Sequence, residues 1–164
     1  MKTLNLSNLL TKHFLSVLLT GLIVVAATAS AQTGQAKPVE TSKKFGDYTV
    51  HFSVFNSTFI PADIAKTYQL IRGENRALIN ISVTRTADGK TSLGLPGRIS
   101  GLATNLIQQQ KSLEFKTINE GDATYYLASL RHTNEEVINF DITITPEGET
   151  KAFNVKFTRT LHIQ

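Results

Sequence analysis

The sequence predicts an all-β protein, an immunoglobulin-like antiparallel β-sandwich of about seven strands with one short helix after the first strand. Apolar and polar residues alternate in several segments, as they do in strands that bury one face. Sequences that favour tight turns stand between these segments. Because the chain contains no cysteine, packing rather than disulfide bonds must stabilise the domain. A closed barrel is the alternative architecture.

The strands are predicted from the alternation and its spacing. It is clear in four segments, residues 47–55, 77–84, 138–145 and 153–158. It is weaker in three more, residues 99–108, 113–118 and 124–130. Turn sequences follow several of these segments, namely Asp88-Gly89, Glu120-Gly121-Asp122 and Pro146-Glu147-Gly148. Short strands separated by such turns are typical of a sandwich.

Two segments interrupt the strand pattern. Residues 61–68 predict a short helix, because Pro61 suits a first helical turn and Ser57 and Thr58 are side chains that can cap it. Residues 94–97, Gly-Leu-Pro-Gly, lack the lysine and the strand-to-helix setting of a phosphate-binding loop. We therefore expect a bent connection there.

The first 31 residues predict a cleavable signal peptide. Lys2 and Lys12 precede an apolar run over residues 14–27, and Ala29-Ser30-Ala31 fits the pattern of a cleavage site. The apolar run is short against the roughly 20 residues that a membrane-spanning helix needs, which favours cleavage over an uncleaved anchor. We expect export of the chain and no stable membrane insertion after cleavage.

The remaining chain predicts a flexible leader over residues 32–44 and one domain over residues 45–164. The leader is polar, with Gly34 and Pro38, and has too few apolar residues to bury a core. Loss of the two signal lysines leaves 15 basic and 13 acidic residues, a net charge of +2. The basic residues form no run or stripe, so the sequence predicts no nucleic-acid partner.

The sequence shows no catalytic motif, but distant residues define a metal hypothesis. No serine lies in a G-x-S-x-G segment, and the absence of cysteine excludes thiol chemistry. His51 and His162 lie on the polar faces of the first and last predicted strands, which can be neighbours in a sandwich. With Asp47 they are weak candidates for a metal site, although exposed strand histidines are usually only solvated.

The densest polar cluster runs from Arg72 to Arg76 and lies close in sequence to residues 56–58, Asn-Ser-Thr. Its arginines, Asn75 and the hydroxyl groups could hold an anion or a peptide carboxylate. The structural alternative, which we favour, is that Asn and Gly shape a turn, Ser and Thr cap the helix and the arginines cover apolar rims.

These segments resemble a known family. The resemblance rests on residues 56–60 (Asn-Ser-Thr-Phe-Ile), on Tyr68, Arg72 and Asn75, and on the strand at 77–83. They are similar to domain-of-unknown-function family 4426, which comprises small exported bacterial proteins without an assigned activity. The resemblance covers the chain from about residue 45 onward and implies a periplasmic location. It implies that a candidate motif consists of Asn56, Ser57, Thr58, Arg72, Asn75 and Asn80.

The combined prediction is a periplasmic, non-enzymatic binding or accessory module. It would recognise a protein, peptide or envelope component through strand edges or through residues 56–76, with Arg76 and Asn80 among the candidate binding residues. The alternative is a metal-dependent or hydrolytic enzyme with a site assembled from distant strands. No cofactor is predicted, and the oligomeric state is not determined by the sequence.

Overall fold

A computed structural model of the chain describes residues 39–164. The predicted signal peptide and most of the predicted leader therefore lie outside the described residues. The strands are β1 (Ser42–Phe45), β2 (Tyr48–Asn56), β3 (Arg76–Ala87), β4 (Lys90–Thr91), β5 (Gly97–Asn105), β6 (Gln110–Ser112), β7 (Phe115–Glu120), β8 (Ala123–Arg131), β9 (Glu136–Pro146) and β10 (Phe153–Leu161). None of the helices in this part of the chain could span a lipid bilayer.

The strands form two antiparallel sheets. Sheet I has the order β1-β2-β3-β8-β7, with β4 paired to the end of β3, and sheet II has the order β10-β9-β5-β6. The predicted all-β sandwich with a short helix after the first long strand is confirmed. The predicted turns at Asp88-Gly89, Gly121 and Gly148 also form, and all three glycines have positive φ angles.

The core lies between the sheets and is rich in aromatic rings. The ring of Phe157 stacks on those of Phe52 and Phe140, with centroids 4.5 and 4.9 Å apart. Val50, Phe52, Ile79, Ile81 and Val83 are buried, as the alternation predicts. Burial of one face of each sheet therefore provides the main stabilisation of the domain.

Two boundaries differ from the predictions. Residues 42–44 of strand β1 lie in the segment predicted to be leader, and their backbone pairs with β2. The ring of Phe45, the first residue of the predicted domain, stacks on Phe153. The strand predicted over residues 113–118 begins only at Phe115, because at Leu113 and Glu114 the chain passes from β6 in sheet II to β7 in sheet I. Leu113 is buried, so the change of sheet brings this residue into the core.

Candidate functional site

The connection between β2 and β3, residues 57–75, is named here the crossover segment. It begins with a 3-10 turn, Ser57–Phe59, and continues with a short helix α1, Ala62–Thr67. The segment contacts the outer face of sheet I, which explains why Leu78 is fully buried although Ala77 and Ile79 point to the inner core. Residues 77–79 of β3 are therefore consecutive apolar residues, because both faces of the strand are buried there.

Hydrogen bonds from the predicted Asn-Ser-Thr motif join the two ends of the crossover segment. The Oγ of the fully buried Ser57 donates to the carbonyl oxygen of Gly73 at 3.0 Å and accepts from its N–H at 2.9 Å. Asn56 Nδ2 donates to the carbonyl oxygen of Glu74 at 2.7 Å. Asn56 Oδ1 accepts from the backbone N–H and the hydroxyl of Thr58 at 2.9 and 2.7 Å. We name these residues, Asn56, Ser57, Thr58, Gly73 and Glu74, the clamp.

The predicted capping role of Ser57 and Thr58 is wrong. Helix α1 has Pro61 at its N-cap and no side-chain cap. Asn56 instead caps the preceding 3-10 turn. Ser57 is unavailable to the helix because both hydrogen-bonding functions of its hydroxyl are used by Gly73.

The other members of the predicted polar cluster also make internal contacts. Arg72 Nη2 donates to the carbonyl oxygen of Thr58 at 3.0 Å, which fastens the clamp from its exposed side. Arg76 Nη1 donates to Ser129 Oγ at 3.4 Å, and the carbonyl oxygen of Asn75 accepts from the N–H of His132 at 3.0 Å. The structure therefore brings the polar cluster and the Asn-Ser-Thr motif together, and their hydrogen bonds hold the ends of the crossover segment in place.

A cavity of about 220 Å³ lies between the crossover segment and the outer face of sheet I. We name it the crossover cavity. Its lining is mainly apolar and includes Phe55, Ile64, Leu70, Ile118, Tyr125 and Leu127. At its polar side the hydroxyl of Tyr68 donates to Glu120 Oε1 at 2.9 Å, and this hydrogen bond raises the pKa of Tyr68 above its ordinary value.

Asn80 adds an amide group to this lining. It lies in the middle of β3 on the outer face, paired in register with Ser53 and Leu127. Its Oδ1 is enclosed and is the one such side-chain atom within residues 39–164 that has no hydrogen-bond partner. Buried polar atoms normally have partners, because an unpaired one costs about 1–3 kcal/mol. The unpaired oxygen therefore singles out this cavity.

The structure does not bring the predicted metal residues together. Asp47 lies in the turn between β1 and β2, 3.9 Å from Arg85. His51 is exposed on the outer face of sheet I, where its Nε2 lies 3.0 Å from Thr84 Oγ1. His162 follows β10 and lines a different cavity with Asn56. In the described part of the chain, no group of three or more His, Cys, Asp or Glu residues is placed to hold a metal ion.

A carboxylate stabilises the loop between β8 and β9. Glu136 Oε2 accepts from the N–H of Thr133 at 2.7 Å and from its hydroxyl at 3.2 Å. The backbone hydrogen bond is the largest cause that lowers the pKa of Glu136 below its ordinary value. This loop carries His132 and lies beside the clamp through the contact with Asn75.

The lowered pKa of Glu136 predicts a pH-dependent stability. The ionised Glu136 carboxylate contributes to the free energy of unfolding. This contribution is complete above the pKa that a glutamate has in the unfolded chain, about 4.3, and is lost as the pH falls through the lower pKa of Glu136 in the folded state. Denaturant unfolding between pH 6 and pH 3 measures this effect. The free energy of unfolding should fall less steeply with pH in Glu136→Gln than in the original chain. An unchanged decline would contradict the assignment.

Comparison with known proteins identifies the family. Residues 42–164 match the family described as Domain of unknown function (DUF4426). The chain belongs to this family. The crystal structure of a DUF4426 family protein from Pseudomonas aeruginosa PAO1 is similar, with 28% sequence identity and a TM-score of 0.65 over 75% of this chain and 94% of that one. The predicted resemblance is thus confirmed. A search of curated proteins gives no match.

Two further structures share the fold. Both are of FetP from uropathogenic Escherichia coli strain F11. One was expressed recombinantly in the periplasm and has 12% identity and a TM-score of 0.54 over 77% of this chain and 95% of that one. The other is a copper-bound variant with 11% identity and a TM-score of 0.53 over 75% of this chain and 90% of that one. At these identities the likeness shows the fold alone.

Proposed function

We propose that the protein is exported to the periplasm and acts there as a non-enzymatic binding module. The crossover cavity accepts one apolar side chain of a protein or peptide partner, and Asn80 accepts a hydrogen bond from an N–H group of the same segment. The unpaired Oδ1 of Asn80 is the observation that carries this proposal: the oxygen is enclosed in the unbound chain, and rotation of the side chain into the cavity on binding would present it to a donor of the ligand.

The size of the cavity favours a side chain over a larger ligand. Pockets for drug-sized molecules usually measure about 300–1,000 Å³, whereas this cavity measures about 220 Å³. A cavity of about 150 Å³ already holds benzene, so an aromatic or a large aliphatic side chain fits here. The apolar lining supplies affinity, and the single amide supplies orientation.

The surface around the cavity supports a macromolecular partner. Phe59, Ile64 and Ile71 all belong to the crossover segment, and they are 64%, 41% and 59% exposed. Single exposed apolar residues are ordinary, but several in one short segment indicate an interaction surface. The clamp holds this segment in place, so the surface is formed before a partner binds, which lowers the entropy cost of association.

The test uses Asn80→Val with Ser82→Val as its matched control. Both residues lie on the outer face of β3 and gain the same side chain, but Ser82 does not line the cavity. Asn80→Val should raise the free energy of unfolding by about 1 kcal/mol, because it removes an enclosed unpaired acceptor. Ser82→Val should change it by no more than about 0.5 kcal/mol.

Binding is measured with N-acetyl-phenylalanine amide, which carries an aromatic side chain beside amide N–H groups. In two-dimensional NMR spectra it should shift the amide signals of Leu127 and Ile118 in the original chain and in Ser82→Val, and it should leave those of Asn80→Val unchanged. A destabilised Asn80→Val, or probe shifts that persist in this variant, would contradict the proposal.

A further inference from the structure

A buried histidine outside the crossover cavity has the hydrogen bonding of a metal ligand. His132 follows β8 and is 5% exposed. Its Nδ1 lies 2.8 Å from the carbonyl oxygen of Thr133. Because a carbonyl oxygen only accepts hydrogen bonds, Nδ1 carries a proton, so in the neutral ring Nε2 is the nitrogen with the free lone pair. A histidine that ligates a metal usually donates its other N–H in this way.

The free nitrogen of this ring is accessible. Within residues 39–164, His132 Nε2 makes no hydrogen bond, and it is not among the enclosed unpaired atoms. The ring lines a cavity of about 190 Å³ at the end of the sandwich where β2 and β10 end. His162 lines the same cavity, so two imidazoles that are 30 residues apart in the chain face one space.

Hydrogen bonds fix the two segments of chain that carry the histidines. The N–H of His132 donates to the carbonyl oxygen of Asn75 at 3.0 Å. The segment after His162 is fastened to the same loops, since the N–H of Ile163 donates to Asn134 Oδ1 at 3.1 Å. The N–H of Gln164 donates to the carbonyl oxygen of Glu74 at 3.3 Å. The backbone segments that carry the two histidines are thus fixed against the clamp and the loops beside it.

We propose that His132 and His162 bind one late first-row transition-metal ion, with Cu²⁺ as the tightest member of the class. Neutral imidazole nitrogen suits copper, zinc and nickel, and copper binds most strongly to a given site in this series. Two protein ligands leave further coordination positions to water or to a donor from a partner. The site is therefore open and exchangeable, unlike the four-ligand sites that stabilise a fold.

The test is a calorimetric titration of the purified chain with Cu²⁺ alone, together with electron paramagnetic resonance of the complex. We expect a one-to-one complex with hyperfine coupling from two imidazole nitrogens. Each of His132→Gln and His162→Gln should weaken binding by about tenfold or more. His51→Gln is the matched control, because His51 is exposed on a strand face away from this cavity, and it should bind as the original chain does.

The variants also separate a metal ligand from a structural residue. His162 is exposed, so His162→Gln should keep the unfolding midpoint of the original chain and still lose the second nitrogen coupling. If His132→Gln fails to fold, the His162→Gln result alone decides. Absence of stoichiometric Cu²⁺ binding, or binding by His162→Gln as tight as that of the original chain, overturns the proposal.

Discussion

Replacement of Gly94 by Ala should lower the free energy of unfolding by about 3 kcal/mol. Gly94 lies where the chain passes from β4 in sheet I to β5 in sheet II. A Cβ atom at this position would stand 2.3 Å from the backbone oxygen of Thr124, far inside van der Waals contact. The obstacle is backbone rather than a side-chain tip, so a rotamer change cannot relieve it.

Neither side of this contact is free to move. The N–H of Thr124 donates to the carbonyl oxygen of Gly94 at 2.9 Å, and the N–H of Leu95 donates to that of Val83 at 2.7 Å. The hydroxyl of the buried Tyr126 reaches the carbonyl oxygens of Leu95 and Gly97 at 3.4 and 3.2 Å. An added methyl group must therefore strain or break hydrogen bonds that hold the connection between the sheets.

Denaturant unfolding of Gly94→Ala beside Gly73→Ala measures this effect. At Gly73 the nearest atom to an added Cβ is Asn75 Oδ1 at 3.6 Å, an ordinary contact. That control should therefore change the free energy of unfolding by no more than about 0.5 kcal/mol. Equal stability of the two variants would show that the connection at Gly94 adapts, and the predicted rigidity would then be wrong.

The long strands could be predicted because each buries one face in the same core. Alternation at Val50 and Phe52, and again at Ile142 and Ile144, reports directly on which side chains are buried. The bent connection at Gly94 was also visible, since paired glycines with a proline between them suit close backbone approach. Local pattern and global packing agree in these segments.

The short strands could not be predicted for a physical reason. Strand β6 has three residues and β4 has two, and all of them are exposed. Neither strand has a buried face that would produce alternating apolar and polar residues in the sequence. Their pairing is fixed by the strands beside them. The change of sheet at Leu113 depends on a long-range contact, because its N–H donates to the carbonyl oxygen of Gly101 at 2.9 Å.

The candidate site was predictable as a set of residues but not as an arrangement. The polar character of Asn56, Ser57 and Arg72 marked them, yet only the fold shows that they join the two ends of the crossover segment. Asn80 was named through the family resemblance. Its unpaired oxygen depends on atoms from other elements. His132 was missed because it is 30 residues from His162 in the chain, and only the fold brings the two rings to one cavity.

Replacement of Ser57 by Ala should destabilise the protein by about 3 kcal/mol although the change removes a single oxygen atom. Ser57 is fully buried, and its hydroxyl serves both the N–H and the carbonyl oxygen of Gly73. Loss of the hydroxyl leaves two backbone groups without this partner, and each unpaired buried group costs about 1–3 kcal/mol. The nearby Ser53→Ala, on β2 without a side-chain hydrogen bond among the described residues, is the control and should cost under about 0.5 kcal/mol.

The Ser57→Ala variant also shows whether the clamp acts on the crossover cavity by positioning the crossover segment or contacts a ligand directly. Ser57 does not line the cavity, so any loss of binding to N-acetyl-phenylalanine amide must follow from movement of the crossover segment. We expect weaker binding together with lower stability, and Arg72→Ala, which removes one exposed hydrogen bond, should show the same pair of effects at smaller size. Weaker binding at unchanged stability would instead place the ligand on the motif itself. Unchanged binding in a destabilised Ser57→Ala would mean that the cavity forms without the clamp.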